Sequence, residues 1–203
     1  MNFLAHLYLS GDCDNIRIGN LIGDFVKGKN YLKYEPDVQK GIIMHRDIDA
    51  FTDAHPLFRK TKSVFVPKYH KHAGVIVDIV FDHYLASGWD HYSDWNLHSL
   101  ARHTYLILVK NYRLVPPRIR FFFPFMIVNN WLESYKKLEF IQRVFQRMPF
   151  RTSLPSESDF AMQAFRDNYD QIQSDFNVFF YELQLFISDK YGINFKNLTS
   201  LND

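Results

Sequence analysis

MHRDIDAFTD, residues 44–53, is the stretch on which the reading of this chain turns. His45, Asp49 and Asp53 recur at intervals of four, and Ile48 and Phe51 continue an apolar stripe that begins at Val38, Ile42 and Ile43. Residues four apart share a helix face, with Cβ atoms about 5–6 Å apart. The segment therefore reads as a helix with an apolar stripe and a seam of imidazole and carboxylates. VDIVFDHYLA, residues 77–86, repeats the spacing: Asp78 and Asp82 are four apart, and His83 adjoins them. Asp is a mediocre helix former and is almost never buried unpaired, so packing alone requires none of these carboxylates. Two such faces turned toward each other would chelate a divalent metal inside a helical bundle. The expectation is a metal-dependent hydrolase.

Outward from these two stretches the pattern is helical almost throughout. Pro36 suits the first turn of the helix that carries His45, and this helix runs to about His55. IGNLIGDFVK, residues 18–27, makes a short apolar helix ended near Gly28. Pro56 breaks the chain, and a short basic helix follows that ends before Pro67. Further helices are expected over residues 69–87, 95–112, 118–131 and 138–148, with a break at Pro116-Pro117. Ser156 or Ser158 caps one long helix that runs to about Tyr191 and stops at Gly192. The expected fold is an all-α, single-domain helical bundle over residues 1–203. All nine His lie between His6 and His103, so residues 1–103 read as the catalytic part and residues 104–203 as scaffold and partner surface.

A chain of 203 residues with 47% hydrophobic residues is long enough to bury one sizeable core. The single Cys13 excludes an internal disulfide and a Cys-based zinc site. MNFLAHLYLSGD lacks a basic leader region and makes a poor signal peptide. FFFPFMIV, residues 121–128, is too short to span a bilayer. A cytoplasmic protein is expected, with no membrane partner. Net charge is only +2 and no recognition motif appears, which argues against nucleic acid. The charge is unevenly spread, however. Lys110–Arg151 carries nine Lys/Arg against two Asp/Glu, and His55–Val77 carries five Lys/Arg and no acid. Such stretches attract an acidic partner or form ordinary solvated faces.

The donor set narrows the metal. Hard cations such as Ca²⁺ take carboxylate oxygens, whereas imidazole suits Mn, Fe or Zn, so a mixed His/Asp set favours Mn²⁺ or Fe²⁺. The competing view makes Asp49 a partner of Arg46. Asp24 in LIGDFVKG sits in an apolar setting and would serve as a further ligand or as an acceptor that orients a His. His6 in FLAHLYL is either a satisfied core imidazole or part of the same site. His70 and His72 in YHKHAG would protonate a leaving group, bind phosphate or simply begin a solvated helix.

MNFLAHLYLS, IGNLIGDFVKG, GIIMHRDID and VDIVFDHYLA, in that order and spacing, resemble the bacterial acyl carrier protein phosphodiesterases. The similarity continues through PPRI and NNWLESYKKLEFIQRVFQRM. The resemblance implies a helical fold like that of HD-domain phosphohydrolases and a Mn²⁺-type cofactor, with Mg²⁺ or Fe²⁺ as alternatives. It also implies hydrolysis of the phosphodiester that joins 4′-phosphopantetheine to a serine of acyl carrier protein. Where such enzymes read MHR-x-ID, this chain adds Asp47, which is expected to face solvent.

On this reading Asp24, His45, Asp49, Asp78 and Asp82, or a subset, hold the metal. Arg46 offers its fork of donors to the phosphoryl oxygens, and His83 or His6 protonates the leaving serine. Lys60, Lys62, Arg118, Arg120, Arg143 and Arg147 are the candidates for docking the acidic carrier. Two rivals stand beside it. One is a phosphohydrolase acting on a nucleotide or other small phosphoester. The other is a non-catalytic helical module that binds an acidic protein.

Overall fold

A computed structural model describes residues 3–150 and 153–199, apart from the side chains at 118, 119, 121–123, 150 and 199. Among the described residues there are thirteen α-helices and no strand. In chain order they are α1 (Phe3–Leu9), α2 (Asp14–Ile22), α3 (Pro36–Ala54), α4 (Pro56–Tyr69), α5 (Ala73–Ser87), α6 (Trp89–Tyr92), α7 (Leu97–Lys110), α8 (Pro117–Val128), α9 (Trp131–Ser134), α10 (Leu138–Arg147), α11 (Ser158–Asp167), α12 (Tyr169–Tyr191) and α13 (Lys196–Thr199). The all-α expectation holds. No described helix is long and apolar enough to cross a membrane.

Helix α5 is the axis of the molecule. It is buried from Ile79 to Ala86 without interruption, as well as at Ala73, Ile76 and Val77. A helix that is apolar all round belongs in the interior. Its Phe81 ring lies 5.3 Å from Phe176 and 5.1 Å from Phe179 of α12, and Phe176 stacks on Phe180 at 5.1 Å. Each such pair contributes about 0.5–1.5 kcal/mol beyond its buried area. One apolar cluster reaches from Leu4 to Phe195, so residues 1–103 and 104–203 share a core.

Local chemistry sets the helix ends, and three of them correct the sequence reading. Helix α4 does not end before Pro67 but runs through it to Tyr69. Pro67 lies in the final turn, where only one main-chain hydrogen bond is lost. Residues 158–191 are two helices, not one. Asn168 leaves helical geometry between them, and its Nδ2 donates to Ala164 O at 2.9 Å. The helix expected from residue 69 is broken at His70, whose φ is +48°. Gly192 does end α12, with φ +71°. His55 caps α4, its Nδ1 accepting from Leu57 N at 3.2 Å and its Nε2 meeting Glu182 of α12 at 2.9 Å.

Candidate metal centre

Helices α2 and α3 cross at two glycines. A Cβ on Gly19 would stand 2.1 Å from Val38 O, and one on Gly41 would stand 2.1 Å from Ile16 O. Backbone thus lies on backbone, and His45 of α3 is carried against the C-terminal turn of α2. There a 3₁₀ turn, Gly23–Phe25, takes over. A Cβ on Gly23 would sit 2.3 Å from His45 Cγ, so this glycine makes room for the imidazole. Helix α1 brings His6 from the other side. The two imidazoles stack at 4.1 Å with planes 21° apart.

Both rings turn Nδ1 inward and Nε2 toward one point. His6 Nδ1 donates to Asn20 Oδ1 at 2.7 Å, and His45 Nδ1 donates to the Asn20 main-chain carbonyl at 2.7 Å. His6 Nε2 lies 3.4 Å from Asp49 Oδ1, and His45 Nε2 lies 3.2 Å from Asp49 Oδ2. Asp24 Oδ1, on a side chain 67% exposed, is 3.4 Å from His45 Nε2. His45 Nε2 is buried without a hydrogen bond of ordinary geometry. One ligand atom each from His6, His45 and Asp49 fall within 4.8 Å of one another.

The electrostatics suit a cation. Burial, with the charge of His45 beside it, lowers His6 to about 4, so its imidazole is neutral and offers a lone pair. Burial acts against charge on His45 too, but Asp24 and Asp49 outweigh it and raise this residue to about 9. Asp49 is held well below the usual carboxylate range, its contacts to His45 and His6 overcoming burial. His45 draws Asp24 down as well. Two imidazoles and one or two carboxylates match the donors that Mn²⁺ or Fe²⁺ takes. Fixing Nδ1 on a carbonyl oxygen is what a metal-ligating His ordinarily needs. The residues therefore fit the group that the sequence implies.

Of the residues singled out from sequence, the structure brings together His45, Asp49, Asp24 and His6. His6 joins them through Nε2, the same atom that His45 turns toward Asp49. Asp78 and Asp82 are not among the three residues whose ligand atoms converge within 4.8 Å. Asp78 is pushed up by burial, and the charges of Asp49 and Asp53 add to the shift. Asp82 Oδ2 and Oδ1 accept from Leu4 N at 2.9 Å and Ala5 N at 3.2 Å. His83 uses Nδ1 on Tyr135 O at 2.8 Å and Nε2 on the Tyr169 hydroxyl at 2.9 Å. Both its nitrogens are thus engaged in the core. Arg46 Nη2 donates to Val26 O and Gly28 O, each at 2.8 Å, and its guanidinium lies 5.2 Å from the Tyr31 ring. It straps the loop that follows Asp24.

Asp47 is half-buried at the surface, and not merely solvated as expected. It accepts from the Tyr191 hydroxyl and pairs with Lys190 at 2.8 Å. Among the basic candidates, Lys60 pairs with Asp175 at 2.8 Å, and Lys62 lies along α5 at Gly74. Arg120 donates to Val115 O and Arg113 O. The side chain of Arg118 lies outside the described residues. Arg143 and Arg147 are exposed on α10, opposite its buried Phe140, Ile141, Val144 and Phe145. Asn20 is the site residue that sequence reasoning missed. Its signal was an Asn set in the apolar, glycine-flanked IGNLIG.

The profile of the family described as acyl carrier protein phosphodiesterase matches residues 1–183. A protein of Yersinia enterocolitica with that name is 36% identical over 152 residues, which cover 74% of this chain and 79% of the relative. Its namesake in Photorhabdus laumondii is 32% identical over 191 residues, 94% of either chain. One from an Enterobacter strain is 34% identical over 181 residues, 89% of this chain and 94% of the relative. No solved structure gives a match.

Proposed function

This chain belongs to the acyl carrier protein phosphodiesterase family, and we propose that it releases 4′-phosphopantetheine from holo-acyl carrier protein as a metal-dependent phosphoric diester hydrolase. What supports the metal dependence is a single observation. His6 Nε2, His45 Nε2 and Asp49 converge, with both Nδ1 atoms tied to one asparagine.

His6, His45 and Asp49 would hold the cation, with Asp24 at the solvent side. A divalent cation bound there, Mn²⁺ first, supplies positive charge for the phosphoryl oxygens and acidifies water. The protein's own groups do the rest. Asn20 keeps both Nδ1 atoms protonated, so Nε2 is the atom each ring presents. Asp49 offers one oxygen to each ring and spaces them. Asp24, exposed and held ionised by His45, would accept a hydrogen from the attacking water and aim its oxygen at phosphorus. Arg46 holds the loop that carries Asp24 in place. The P–O bond to the serine breaks, the serine oxygen leaves on the carrier and takes up a proton from solvent water, and the phosphate stays with the pantetheine arm.

The carrier is acidic, so its docking falls to exposed basic side chains. Arg143 and Arg147 suit that task better than Lys60 or Arg120, which are held within this chain.

Calorimetry with Mn²⁺ and mass analysis of the carrier test the proposal together. His6→Ala, His45→Ala and Asp49→Ala should each weaken Mn²⁺ binding at least about tenfold and abolish turnover, with helical circular dichroism kept. Unchanged Mn²⁺ binding in all three variants would remove the metal from the mechanism. Failure of the Mn²⁺-loaded wild type to convert holo-carrier to apo-carrier would remove the substrate.

A further inference from the structure

We propose that the Asn20 carboxamide is a positioning residue that sets the tautomer of His6 independently of His45, so that one helix turn aims two imidazoles through two separate groups. The inference rests on the metal reading above for its consequence but not for its geometry. Asn20 is fully buried and uses every polar atom of its side chain. Oδ1 accepts from His6 Nδ1 at 2.7 Å. Nδ2 donates to His6 O at 2.9 Å and to Ser10 Oγ at 3.0 Å, and Ser10 Oγ donates to the same His6 carbonyl at 2.7 Å. The amide therefore grips His6 at ring and main chain at once. Because Nδ2 is committed to two acceptors, the amide cannot turn over, and Oδ1 must face the ring. An acceptor at that place requires a proton on His6 Nδ1, which leaves Nε2 with its lone pair. His45 receives the same instruction from the Asn20 main-chain oxygen, which no substitution at this position removes.

That division gives the test its discrimination. In the metal-free protein, ¹⁵N–¹H correlation of the imidazoles should show His6 protonated at Nδ1. Asn20→Ala should redistribute the His6 proton toward Nε2 while the His45 Nδ1 proton keeps its resonance. Mn²⁺ affinity should then fall about 10–100-fold, the usual cost of losing such a supporting bond. Asn20→Asp retains an acceptor for Nδ1 and should keep the His6 tautomer, shift its Nδ1 proton downfield and restore most of the affinity. This second variant carries the test should Asn20→Ala fail to fold.

A His6 protonated at Nε2 in the wild type would overturn the proposal. So would a His6 spectrum indifferent to both substitutions, or one in which His45 moves as far as His6, the mark of a general packing defect. If the His6 proton moves as stated but no form of the protein binds Mn²⁺, the positioning stands and the metal reading fails.

Discussion

Asp82 has the most buried carboxylate of the interior helix, and it works on a backbone rather than on an ion. The first turn of a helix leaves main-chain N–H groups without partners, and Asp82 takes those of Leu4 and Ala5. It thereby anchors the short helix that carries His6. Burial pushes its carboxyl up to about 7 despite the two amides that pull it down. A carboxyl raised in the folded state contributes stability that is fully present below its unfolded value near 3.8 and is lost as pH rises through about 7. Asp82→Asn should flatten that slope between pH 4 and 7 in urea titrations while Mn²⁺ affinity stays within a few-fold of wild type. Asp82→Ala should cost about 1–3 kcal/mol, as expected for buried amides left unsatisfied. Loss of Mn²⁺ in Asp82→Asn as complete as in Asp49→Ala would make Asp82 a ligand after all. The four-residue spacing of Asp78 and Asp82 was legible as a polar seam. That Asp82 serves another helix was not, because a backbone amide seventy-eight residues away leaves no mark in side-chain spacing.

At the scale of elements, the α2–α3 crossing decides where the site lies. Gly19 and Gly41 let two backbones touch, and this contact sets His45 beside Asn20. Gly23 differs from them, since what a Cβ would strike there is a ring and not a backbone. Gly41→Ala should therefore destabilise the whole protein by about 1–3 kcal/mol or more, the usual range for overpacking, and lower the urea midpoint. Gly23→Ala should instead keep most of the stability and lose Mn²⁺, because it displaces His45 within a fold that persists. Equal melting behaviour in the two variants would refute that distinction. The stripe of α3 was readable at Val38, Ile42 and Ile48, which are buried, but Ile43, read into the same stripe, is exposed and Phe51 is half-buried, because they turn toward the edge of that face. The glycines were visible only as letters. Which of them marks a close approach depends on the partner helix, and periodicity in one segment says nothing of its neighbour. The same limit explains Pro67 and Asn168. Pro67 was read as a break, yet the last turn of α4 tolerates it, and Asn168, read as helical, divides what the pattern took as one helix.

At the scale of the molecule, the proposed metal cluster and the exposed basic pair lie on different helices. The cluster is built from α1, α2 and α3 together with the turn after α2, whereas the exposed basic pair lies on α10, whose opposite face packs into the core. Arg143 and Arg147 stand four apart, so their side chains share a helix face. Arg143 Nε donates to Glu139 O at 3.3 Å and its guanidinium rests 6.0 Å from the Phe140 ring. Those contacts are local to α10 and leave the charge directed to solvent. On the proposed function, a carrier bringing its modified serine to the cluster would place its own acidic surface against this protein, and two outward guanidiniums would answer that demand. Charge reversal at both positions should raise KM for holo-acyl carrier protein several-fold and leave kcat nearly unchanged, the signature of lost uniform binding rather than lost transition-state contact. Wild-type KM should rise with added salt, since exposed charges are screened within about 8–10 Å at physiological ionic strength. The reversed variant should lose most of that salt dependence and should bind Mn²⁺ as the wild type does. An unchanged KM in the variant, together with a salt-independent wild type, would make α10 a solvated scaffold face. The demand for a protein-sized docking surface would then fall, and a small phosphoester would become the better substrate for the same two imidazoles and two carboxylates.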